Sequence, residues 1–173
     1  LALQGAGALT GTLHGADSGT PDLAATDDSV STPEDEAVTV SVLANDSGAG
    51  LSVTGVGSAD HGTVEIADAA AGDLLYTPAA DYNGADSFTY TVQDDSGASA
   101  TATVAVDVAP VNDAPEAADD TAETQAGAQV EIDVLANDSD VDGDSLTIQS
   151  AGAPANGSVT VNANADAPDT LTY

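Results

Sequence analysis

The chain has 173 residues, 42% of them hydrophobic, which is enough for one large domain or two ordinary ones with a core in each and excludes disorder throughout. It carries 30 Asp and Glu against no Lys or Arg, a formal charge of -30, so no carboxylate has a basic partner except a protonated His. That balance excludes nucleic acid and anionic membrane surfaces as partners, because binding phosphate requires basic residues. No apolar run approaches the roughly 20 residues of a membrane span, so membrane insertion is not expected.

The lack of cysteine removes disulfides and thiolate metal sites. With four Tyr, one Phe and no Trp, the apolar inventory is dominated by Ala and Val and suits thin, β-branched cores. Self-repulsion on this scale opposes compaction, so bound cations or a saline habitat must offset it.

In chain order, residues 1–20 form an extended N-terminal segment without the basic flank of a signal peptide. Leu1, Leu3, Leu9 and Leu13 share one face of an extended strand, which makes the segment a candidate donor strand or else a plain leader. A first β-sandwich is expected over 21–110. Val38, Val40 and Val42 alternate with Thr39 and Ser41, as do Phe88, Tyr90 and Val92 with their neighbours and Val104, Val106 and Val108 with theirs. Turn formers such as His61-Gly62, Asn83-Gly84 and Asp95-Ser96-Gly97 separate these runs. No window has helical period and caps, and frequent short strands predict an antiparallel sandwich. Tyr90 has the setting of a tyrosine whose hydroxyl returns to upstream backbone.

A linker follows at 111–115, and then 116–173 repeats the first unit. Val42-Leu43-Ala44-Asn45-Asp46-Ser47 recurs as Val134-Leu135-Ala136-Asn137-Asp138-Ser139 at a spacing of 92, and Asp27-Asp28 recurs as Asp119-Asp120. The spacing slips to 95 at Gly62 and Gly157 and to 97 at Tyr76 and Tyr173, placing insertions in loops of the second copy. Tyr173 matches Tyr76, so the second sandwich is expected to be incomplete at its C-terminus, with the remaining strands supplied by further chain or by a neighbour.

The run from Val134 to Ile148, the run from Tyr76 to Tyr90, and the linker Pro110-Val-Asn112-Asp113-Ala-Pro115 together resemble the cadherin-like and VCBS-type tandem repeats of large bacterial RTX adhesins. The resemblance covers about residues 21 to 173. It implies tandem immunoglobulin/cadherin-like Greek-key β-sandwiches, a secreted or cell-surface location, calcium at or near domain junctions, and a structural or adhesive role. Ala114 separates Asp113 from Pro115 in the linker, a departure from the cadherin junction.

The strongest metal candidate is the loop Asp138, Asp140, Asp142 and Asp144, in which carboxylates at every second position and Gly143 suit a Ca2+ ion that needs six to eight oxygens. Asn137, Asp119 and Asp120 are candidate further ligands. The first unit has a shorter loop, Asp46-Ser-Gly-Ala-Gly50, so that form of the site is expected to be absent there, leaving Asp27, Asp28, Asn45 and Asp46 as a smaller candidate. At the junction Asp107, Asn112 and Asp113 are candidates for a calcium that stiffens the linker. Asp94-Asp95 and Asp81 with Asn83 are weaker candidates that read first as turn formers.

No enzyme is expected: His14 and His61 are the sole neutral-pH bases, and no serine has a nucleophile motif around it. Asn45-Asp-Ser47, Asn137-Asp-Ser139 and Asn156-Gly-Ser158 fit the N-glycosylation pattern, the first two overlapping the metal loops. The reading is a calcium-stabilised structural repeat of an adhesin or extracellular fibre, with neighbouring repeats or identical subunits as partners. The alternatives are a filament protomer joined by strand complementation and an adhesin domain that grips a surface receptor or carbohydrate.

Overall fold

The computed structural model describes residues 22–164 and 167–173. The proposed donor strand and His14 lie outside them. The chain divides into two compact units, Leu1–Ala109 and Pro110–Tyr173, each described here by itself.

Unit 1 is a two-sheet sandwich. Its strands are β1 (Asp28–Pro33), β2 (Val38–Ser41), β3 (Ser52–Val56), β4 (Gly62–Asp68), β5 (Asp73–Pro78), β6 (Gly84–Gln93) and β7 (Ser99–Ala109). One sheet has the order β1-β7-β6-β3 and the other β2-β5-β4. All pairings are antiparallel except that of β1 with β7. Period-two sequence produces the two faces directly: along β7, Ala102, Val104, Val106 and Val108 are buried while Ala105 and Asp107 are exposed. These residues meet Phe88, Tyr90 and Val92 of β6, Val53 of β3, and Val40, Leu74 and Tyr76 of the facing sheet. Each such apolar side chain contributes about 1.5–3 kcal/mol by leaving water.

Val42 was expected to continue the β2 strand, but it opens a short 3-10 turn, Val42–Ala44. It is still fully buried, and its N–H donates to the Gly72 carbonyl at 2.9 Å. Burial thus keeps the period at this position while the backbone bends to deliver Asn45 and Asp46 to the sandwich end.

The two sheets are also clasped by polar groups. Asp86 of β6 accepts hydrogen bonds from Tyr76 Oη at 2.8 Å, and from the N–H groups of Asp60 at 3.2 Å, His61 at 3.0 Å and Ser87 at 2.7 Å. Burial pushes the Asp86 carboxyl up, but these donors together outweigh it and hold the group below its ordinary value. The Tyr76 phenol is pushed up, first by burial and then by its bond to Asp86. The Tyr76 ring also lies against Gly62, where a Cβ would come within 2.7 Å of it.

Unit 2 repeats one layer of this plan. Strands β8 (Glu131–Ile132), β9 (Thr160–Asn162) and β10 (Thr170–Thr172) form a sheet in the order β8-β10-β9. The register is preserved: Leu171 faces Ile132 and Val161, just as Leu74 faces Val40 and Ile66. Each unit also has one bridge closing its first segment onto the Asn-Asp-Ser motif, Ala24 with Ser47 and Glu116 with Ser139. Leu146-Thr147-Ile148, which aligns with β3, makes no sheet pairing among the described residues. In unit 1, β3 takes its pairing from β6 alone, and no described strand of unit 2 presents such an edge. The apolar residues Val130, Ile132, Leu146, Ile148, Val161 and Leu171 are accordingly only half-buried.

Candidate metal centre

The Asn-Asp-Ser motif does the same mechanical work in both units. Asp46 Oδ1 accepts the Thr26 N–H at 2.8 Å, and Asn45 Nδ2 donates to the carbonyls of Thr26 at 3.3 Å and Asp27 at 3.2 Å. In unit 2, Asp138 Oδ1 accepts the Ala118 N–H at 2.8 Å and Asn137 Nδ2 donates to the Asp119 carbonyl at 3.3 Å. The pair therefore pins the segment that precedes the first strand, satisfying backbone groups that no ladder reaches.

Around that clamp the units differ. In unit 1 the Tyr90 hydroxyl lies 3.1 Å from both Asp46 carboxylate oxygens, 3.0 Å from the Thr26 carbonyl and 3.3 Å from that of Val42. The expected return of this hydroxyl to upstream backbone occurs, but across the sandwich rather than within its own corner. Burial, followed by the charges of Asp28 and Asp46, pushes the Tyr90 phenol up and keeps it a donor. Asp27 Oδ1 accepts the Thr103 N–H at 2.8 Å. Asp28 Oδ2 is sealed from solvent and accepts no hydrogen bond, and burial, partly opposed by Tyr90, raises the Asp28 carboxyl above its ordinary range. Asp28, Asn45 and Asp46 are thus gathered beside the Tyr90 hydroxyl, while the Asp27 carboxylate turns to the Thr103 N–H.

In unit 2 the clamp leads into the acidic loop. Asp140 Oδ1 accepts the N–H groups of Asp142 at 3.0 Å and Asp144 at 3.2 Å, and the Gly143 N–H donates to the Asp140 carbonyl at 3.2 Å. Gly143 has φ +78°, a left-handed conformation that glycine adopts without a Cβ clash. Asp142 Oδ2 accepts the Asp113 N–H at 2.7 Å, tying the linker to the loop. The result is a cavity of about 350 Å³ with Asn112, Asp113, Glu116, Asp138, Asp140 and Asp144 among its lining and apolar Leu135 and Leu146 on another side. No three carboxylates of residues 138–144 converge within 4.8 Å; Asp138, Asp140 and Asp144 stand apart along the cavity, as like charges do.

Two sites read separately from sequence, the loop and the linker, are therefore one in space, and Glu116 joins them. Asp119 takes part through its carbonyl, whereas Asp120 is exposed and has no hydrogen-bond partner among the described residues. Asp107 is exposed on β7 between Ser31 and Ala85 and joins no other candidate ligand of unit 1. Asp81, a weaker candidate in the sequence, is joined in unit 1 by Glu34 and Asp35, which the sequence did not single out. Glu34 is 3% exposed and accepts from Asn83 Nδ2 at 3.5 Å, and Asp35 Oδ1 accepts the Asp81 N–H at 3.2 Å. The Asp35 and Asp81 carboxylates come within 4.8 Å of each other, and both residues have left-handed backbones, φ 61° and 56°. The acidic run Glu34-Asp35-Glu36 was the available signal.

The strand order, the register kept between the units and the repeated clamp agree with a match of the family model described as bacterial Ig domain to residues 18–107 and 112–173. The chain belongs to the bacterial Ig domain family. Domains of this family are commonly extracellular or surface-exposed repeats. No curated protein matches the sequence significantly. Among solved structures, an endo-fucoidan hydrolase of glycoside hydrolase family 107 is similar at 25% identity with a TM-score of 0.38. That match covers 56% of this chain but only 14% of the hydrolase, and carries no argument about this Ig chain's activity. Among the described residues of the Ig repeats, no helix is long and apolar enough to cross a membrane.

Proposed function

We propose that the chain is a calcium-stabilised structural repeat of a secreted or cell-surface adhesin or extracellular fibre, its partners being neighbouring repeats or identical subunits. The observation that carries this is the unit 2 cavity, where residues from linker and loop bring carboxylate and amide oxygens around one space. A hard cation of calcium's size takes six to eight such oxygens at about 2.3–2.6 Å. With no Lys or Arg in the chain, a cation is the one strong neutralising partner these groups can share.

Binding there would fasten Asn112 and Asp113 to the loop and so stiffen the start of unit 2, which suits a spacer whose work is extension. The Asp35 and Asp81 pair is a second place where a shared cation would relieve repulsion. Calcium titration with thermal unfolding tests the proposal. Calcium should raise the midpoint of unit 2 and a chelator should reverse the gain, with Asp140→Asn abolishing the response. An unfolding curve indifferent to calcium and chelator would overturn it.

A further inference from the structure

Glycine is demanded at the same place in both units. In unit 1 a Cβ on Gly62 would meet the Tyr76 ring at 2.7 Å; in unit 2 a Cβ on Gly157 would meet the Tyr173 ring at 2.9 Å. Gly157 also has φ +118°, which side chains avoid. The tyrosine hydroxyl bonds the carbonyl of the residue before the glycine in each case, His61 and Asn156. Packing thus retains the glycine, and the chemistry of the turn is left to the residue before it. In unit 1 that residue is histidine, which has no side-chain amide. In unit 2 it is asparagine, and an Asn-Gly pair places an amide carbon beside the least hindered backbone nitrogen a protein can offer.

The surroundings separate this pair from the other asparagines. Asn156 and Gly157 are exposed, lie outside the sheet, and among the described residues neither the Asn156 side-chain amide nor the Gly157 N–H has a hydrogen-bond partner. In unit 1 the corresponding turn has both Asp60 and His61 N–H groups bonded to Asp86. The second Asn-Gly pair, Asn83-Gly84, has its amide on Glu34 and its glycine in β6 opposite Val108. Asn45 and Asn137 are tied to backbone carbonyls by their amides and are followed by Asp.

We propose that Asn156-Gly157 is a self-modifying site, at which the asparagine converts through a cyclic imide to aspartate and isoaspartate. The Gly157 backbone nitrogen loses its proton and attacks Asn156 Cγ. The new N–Cγ bond forms as the Cγ–Nδ2 bond breaks and ammonia leaves. Water then opens one of the two imide C–N bonds, restoring the normal chain as aspartate or rerouting it through the side chain as isoaspartate. No oxidant or other reagent is required. The change adds a carboxylate to an already acidic repeat and, in the isoaspartate form, lengthens the backbone in the turn that leads into β9.

The test is peptide mapping by mass spectrometry of the whole protein aged in mildly alkaline buffer, with isoaspartate scored by enzymatic methylation. Conversion at Asn156 should run several-fold faster than at Asn83, Asn45 or Asn137, and should quicken as pH rises because the Gly157 nitrogen must lose its proton. Asn156→Gln keeps the glycine that Tyr173 packs on and should remove the signal, because the longer side chain would have to close a larger ring. Retention of the Asn156 amide under these conditions, conversion no faster than at Asn83, or an amide capped by a glycan would each overturn the proposal.

Discussion

In unit 1 the clamp made by Asn45 and Asp46 is backed by a buried tyrosine hydroxyl; in unit 2 the clamp made by Asn137 and Asp138 opens into a loop that adds Asp140, Asp142 and Asp144. The pairings of Leu171 with Ile132 and Val161 match those of Leu74 with Val40 and Ile66, and the bridge at the motif is shared as well. The comparison shows one scaffold solving one electrostatic problem, several carboxylates gathered at a sandwich end, with two different donors. In unit 1 a phenol O–H supplies the hydrogen bond to Asp46. The unit 2 loop gathers acceptors and supplies only backbone N–H groups against them, and under the proposed function a cation takes the larger share of its charge.

The largest effect should come from the unit 2 side. Replacing Asp140 and Asp144 together by Asn should remove the stabilisation by calcium, which at a hundredfold excess over its Kd is about 2.7 kcal/mol, and should leave unit 1 untouched. Calorimetry with and without a chelator reads both units in one scan; equal losses in both would break the contrast. Next, Tyr90→Phe should destabilise unit 1 by about 2 kcal/mol irrespective of calcium, since it removes the O–H from buried acceptors. A calcium-dependent loss there would show that the unit 1 cluster is a metal site after all.

Gly62→Ala should cost at least about 1 kcal/mol by forcing the Tyr76 ring aside, measured by denaturant unfolding. The smallest effects concern pH. Asp86 has a folded pKa below its usual 3.8, so its contribution is fully present above that value and is lost as pH falls through the depressed one. Asp28 has the opposite sign: its raised pKa favours the fold while it is protonated, an advantage lost as pH rises through the folded value. Asp86→Asn should therefore flatten the acid limb of the stability profile, and Asp28→Asn should raise stability at neutral pH. An unaltered acid limb in the first variant would discount the clasp.

The fold was legible because its two signals are local. Period-two apolar residues announce β6 and β7, and the repeated Val-Leu-Ala-Asn-Asp-Ser announces two copies of one unit. Val42 was misplaced as a strand residue because burial has the same period on either side of a turn, so the pattern alone hides where the backbone leaves the sheet. The site was legible in its residue types and less so in its grouping. Asn112 and Asp113 lie far from the acidic loop in sequence, and only folding shows that Asp113 bonds Asp142. The meeting of Asp46 with Tyr90 and of Asp35 with Asp81 depends on pairings 44 and 46 residues apart, which no local spacing encodes.

The parallel pairing of β1 with β7 has a mechanical consequence. Because the two strands run the same way, the chain enters unit 1 at one end of the sandwich and leaves at the other. A pull on the chain would slide β1 along β7, loading all of the register from Asp28 with Val104 to Pro33 with Ala109 at once. Bonds sharing a shear load fail together rather than being unzipped in turn, so a domain drawn out by flowing water would hold until the whole ladder gave way.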